Sequence, residues 1–82
     1  MRQFRVLDIP NILADKLGVY FVRQGDNDFS DVEFLIGKYP QKVYQIRGSL
    51  KYEHRQRFVV AFANSRTAQQ TNRVKMILGV AL

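Results

Sequence analysis

Eighty-two residues with a 46% apolar share make one small folded domain near the lower limit for a self-supporting core, and exclude a disordered chain. The absence of cysteine excludes a disulfide staple, a thiolate metal site and a cysteine nucleophile. The net charge of +6 is unevenly divided: residues 1–33 set four cations against six carboxylates, whereas residues 34–82 set nine cations against Glu53 alone. That leaves −2 on the first part and +8 on the second, and the second produces a field that attracts phosphate backbones.

In chain order, Gln3 to Ile9 alternates as a first strand, with Phe4 and Val6 on one face and Arg5 and Leu7 on the other. Pro10 lacks a ladder donor and ends it. Asn11 caps a short helix from Ile12, with Leu13, Leu17 and Tyr20 or Phe21 as its apolar stripe. Gly18 weakens that helix by roughly 1 kcal/mol relative to alanine. The β-propensity of Val19-Tyr20-Phe21-Val22 keeps a strand open there, and with it a small all-β barrel. Gly25-Asp26-Asn27-Asp28 is a solvated turn. It is not a calcium loop, because Glu33 comes too early to supply the closing bidentate ligand.

Val32, Phe34 and Ile36 form the inner face of a second strand, and Gly37-Lys38-Tyr39-Pro40 turns the chain. Lys42 to Arg47 is a short strand that pairs back as a hairpin, broken by Gly48-Ser49. Leu50 to Gln56 is a basic connection carrying Lys51, Tyr52, His54 and Arg55. Arg57 to Ala63 is a strand by its period of two, with Phe58, Val60 and Phe62 on one face. Asn64 or Ser65 caps a helix from Arg66 to about Ile77 that buries Ala68, Thr71, Val74 and Leu78. Gly79 ends that helix, and Val80-Ala81-Leu82 starts a last strand. The apolar ending reads as that of a fragment of a longer chain, cut inside or just before a final element.

This order, β-α-β-(β)-β-α and a terminal β, is that of a ferredoxin-like βαββαβ sandwich, with one antiparallel sheet and two helices on one face. At the residues, the chain resembles the RNA recognition motif. Arg55-Gln56-Arg57-Phe58-Val59-Val60-Ala61-Phe62 is similar to that family's third-strand octamer at Arg55, Val60 and Phe62. Ala63-Asn64-Ser65-Arg66-Thr67-Ala68 is similar to the turn and helix that follow it, and Phe4 to Pro10 to the family's first strand. The resemblance implies a single domain over residues 1–82 with a sheet face that binds single-stranded RNA. The family's three ring positions fall here on Arg5, Arg57 and Val59, and none is aromatic. Guanidinium stacking by Arg5 and Arg57 is therefore expected to replace rings, assisted by Tyr44, Arg47, Lys51, Tyr52 and Arg55.

The alternative is a protein-interaction module of the same shape, self-associating or with a foreign partner, motivated by the missing rings, the expected exposure of Val59 and Leu35, and the apolar C-terminus. No enzyme and no cofactor are expected. His54 has no orienting partner in sequence, no metal-ligand spacing is present, and no glycine-rich phosphate loop occurs. No apolar run approaches ~18 residues and no signal-peptide pattern opens the chain, so an intracellular setting, cytoplasmic or nuclear, is expected.

Overall fold

The computed structural model describes residues 8–81, and within them the chain is helical. Helix α1 spans Ile9–Arg23, α2 Asp26–Lys38, α3 Pro40–Ile46, α4 Tyr52–Ser65 and α5 Ala68–Leu78, with a 3₁₀ turn at Arg47–Ser49. The expected ferredoxin-like sandwich is overturned, and the β-barrel with it: no strand occurs among the described residues. The expected first strand falls mostly on residues 1–7, outside the described residues.

Pro10 starts α1 rather than ending a strand, since the first turn of a helix has no use for its missing N–H. Ile9, Leu13, Leu17 and Tyr20 then fall on one buried face, the stripe the sequence indicates. Gln24, in the left-handed region (φ 55°), closes the helix by donating to the Tyr20 carbonyl at 2.8 Å. Gly18 lies mid-helix beside His54 of α4, whose ring is 3.6 Å from where a Cβ would stand, an ordinary contact distance. The acidic turn becomes the first turn of α2, where Asp26 and Asp28 meet the positive end of the helix dipole.

Lys16 on α1 ties this helix to α2, lying 2.9 Å from Asp31 and 3.6 Å from Asp28. The hydrogen bond to Asp31 holds its ammonium above the ordinary lysine range.

The two expected inner strands are helices because their apolar residues also satisfy the helical period. On α2 the buried set is Val32, Leu35 and Ile36, a spacing of i, i+3, i+4. On α4 it is Phe58, Val59 and Phe62, at 0, 0 and 4% exposure, while Val60 is 44% exposed. The period of two fails at Val60. β-Branched residues lower helix propensity by only tenths of a kcal/mol, whereas burying one such side chain contributes about 1.5–3 kcal/mol.

The rings supply the centre of the core. Phe58 lies 4.9 Å from Phe29 and 6.0 Å from Tyr20, and meets Phe62 edge-on at 5.8 Å. Burial also raises the Tyr20 hydroxyl above the usual tyrosine range. Helix α1 packs on α2 and α4, and α5 packs on α3 and α4. The last helix starts later than the sequence indicates. Thr67, not Asn64 or Ser65, is the N-cap, in a reciprocal box with Gln70. That shift leaves Ala68 exposed, while Thr71, Val74, Ile77 and Leu78 are buried. Gly79 ends it as expected (φ 66°), donating to the Met76 carbonyl while Val80 donates to Lys75. Val80 is buried as part of this motif rather than starting a strand.

Candidate nucleic-acid interface

A terminal helix leaves carbonyl groups without intrahelical donors, and α5 satisfies part of this need with side chains from α4. Arg55, in the second turn of α4, donates from Nη1 to the Leu78 carbonyl at 2.8 Å. The Tyr52 hydroxyl, one turn earlier, donates to the Ala81 carbonyl at 3.2 Å and accepts from the Ala81 amide at 3.4 Å. The Arg55 guanidinium lies 5.3 Å from the Tyr52 ring centre.

The end of α3 approaches the same point. Arg47 begins the 3₁₀ turn, donates to the Tyr44 carbonyl and stacks its guanidinium 3.8 Å from the Tyr44 ring centre. Gly79 is where the two arginines converge. A Cβ on it would lie 2.9 Å from Arg47 Cδ and Nε and 3.5 Å from Arg55 Nη1. Glycine therefore serves twice, by taking a positive φ and by leaving space for Arg47.

The result is two tyrosine–arginine pairs around one helix end, with exposed Lys51 in the connection between them. Tyr44 is 46% and Tyr52 42% exposed. Neither arginine forms an ion pair among the described residues, and both meet the C-terminal end of α5, where the helix dipole is negative. The Nε–H of Arg55 is buried, with no hydrogen-bond partner among the described residues, and so is not open to a ligand. Chemically the arrangement offers stackable rings, planar cations and spare N–H donors, the equipment for a phosphate-bearing, base-bearing chain. It has no nucleophile–base pair, and no group of three or more metal-ligating side chains occurs among the described residues.

Of the residues singled out in sequence, Tyr44, Arg47, Tyr52 and Arg55 are thus brought to one end of the bundle, while Lys51, exposed at the N-cap of α4, lines a depression with Ala14, Leu17 and His54. Of the other three, two are placed elsewhere. Arg5 lies outside the described residues. Val59 is fully buried on α4, so it cannot present itself to a base. Arg57 is two residues from Arg55, roughly 200° around the helix, and lies 5.5 Å from the ring of Phe21 on α1. The Arg5–Arg57 sheet platform is accordingly withdrawn. Gly79 is the member that sequence reasoning missed as part of the site, although it was identified as the helix terminator. His54 stacks on Phe21 at 4.7 Å and belongs to the α1–α4 packing.

No family model, curated protein or solved structure matches the chain.

Proposed function

We propose that this domain binds single-stranded RNA through the Tyr44–Arg47 and Tyr52–Arg55 pairs, with Lys51 completing the cationic surface. The observation that carries this reading is the convergence on the α5 terminus of two guanidiniums that form no ion pair among the described residues, each beside a half-exposed tyrosine. A base laid on the Arg47 guanidinium would extend the existing Tyr44–Arg47 stack, and the spare N–H donors would take the adjoining phosphate. Stacking of this kind needs an open base face, which favours an unpaired strand over a duplex.

Fluorescence anisotropy with labelled oligouridylate at low salt tests this. Binding should weaken steeply as salt rises, because neutralised phosphates release counterions. Tyr44→Leu should cost about 1–3 kcal/mol of affinity, as loss of one stacking contact does. Arg57→Ala, on the opposite face of α4, should change affinity by less than about twofold. Equal losses for Tyr44→Leu and Arg57→Ala, or absence of binding at low salt, would contradict the proposal. A clear preference for duplex DNA would contradict its stacking component.

A further inference from the structure

A second surface lies where α2 and α5 flank Phe58 and Phe62 of α4, beginning one turn beyond Arg55. Phe58 and Phe62 form its floor, Glu33 and Gly37 its α2 wall, and Arg73 and Val74 its α5 wall. The depression holds about 230 Å³. That is below the range of roughly 300–1,000 Å³ typical of small-molecule clefts, and suits a single bulky side chain. An apolar side chain seated in a small desolvated pocket is the usual anchor of a protein interface.

Charge narrows the occupant. Glu33 is the one carboxylate on the rim, and both its oxygens are taken by Arg66, at 2.8 Å to Nε and 2.8 Å to Nη2. Arg73 is exposed on the opposite wall and makes no ion pair among the described residues. The free charge at the rim is therefore positive, complementary to a carboxylate. Gly37 adds a separate indication. It lies inside α2, is exposed, and an added Cβ would meet nothing within 4 Å. Alanine there would favour the helix by up to about 1 kcal/mol, so nothing within the bundle calls for a glycine. Its effect is to leave the α2 wall low at that point.

We propose that this depression is the anchor pocket for a protein partner that inserts one bulky apolar side chain and pairs a neighbouring carboxylate with Arg73. The probe is a short helical peptide, capped at both ends, with one phenylalanine flanked by glutamates. Two comparison peptides replace the phenylalanine by serine or the glutamates by lysines. Titrated into the ¹⁵N-labelled chain, the first should shift the amides of Gly37, Arg73 and Val74. Both comparison peptides should bind at least about tenfold more weakly, a difference of about 1.4 kcal/mol. Arg73→Glu should reverse the charge preference. Gly37→Leu should remove binding without lowering the thermal midpoint, because its side chain fills the pocket mouth and not the core. No shifts through millimolar peptide would overturn the proposal, as would equal affinity for both charge signs or shifts centred on Tyr44 and Tyr52. Shifts at Gly37 and Arg73 on dilution of the protein alone would also overturn it, by assigning the pocket to a second copy of the chain.

Discussion

Gly79 carries two constraints that no other residue meets together: a backbone at φ 66° and contact space for Arg47. An L-residue in the left-handed region costs about 1–2 kcal/mol. A side chain there would also push Arg47 off its stack on Tyr44. Gly79→Ala should therefore lower stability by about 1–2 kcal/mol in urea unfolding and weaken RNA binding together. A variant that loses neither would show that Arg47 is not held by this contact. Arg55 works on the same feature from the other side. Its bond to the Leu78 carbonyl holds the guanidinium at the helix end.

At the level of elements, the end of α5 and the stripe of α1 could be read in the sequence, whereas α2 and α4 could not. Gly79 and the Leu13, Leu17, Tyr20 spacing are local signals, and the structure keeps both. Val32-Glu33-Phe34-Leu35-Ile36 and Phe58 to Phe62 are ambiguous over a few residues, because apolar residues at i, i+2 and i+4 fit a strand while i and i+4 alone fit a helix. Only burial decides, and burial of Leu35 and Val59 depends on helices remote in sequence. The misplaced start of α5 has a different cause. Asn64, Ser65 and Thr67 are all acceptable caps, and Gln70 selects Thr67 by closing the reciprocal box. Thr67→Ala should cost about 1 kcal/mol in chemical denaturation, whereas Asn64→Ala and Ser65→Ala should each stay within about 0.5 kcal/mol. An equal loss at Ser65 would place the cap wrongly.

Across the whole molecule, charge and packing divide the labour. The acidic α1–α2 pair is knitted internally by Lys16 with Asp28 and Asp31, and Glu33 is held by Arg66. Among the described residues, Arg47 of the 3₁₀ turn and Arg55 of α4 form no such ion pairs, and both meet the end of α5. The candidate site was legible as composition, a basic segment with tyrosines between positions 44 and 55. Its geometry was not, because the α5 terminus that gathers these side chains lies more than twenty residues further along the chain. The most direct test is an amide chemical-shift map of the ¹⁵N-labelled domain titrated with oligouridylate at low salt. Shifts concentrated on Tyr44, Arg47, Lys51, Tyr52, Arg55 and Gly79 are expected, with Arg57 and Arg73 little changed. Shifts spread evenly over every exposed lysine and arginine would contradict a built site and leave only diffuse attraction between a basic protein and a polyanion.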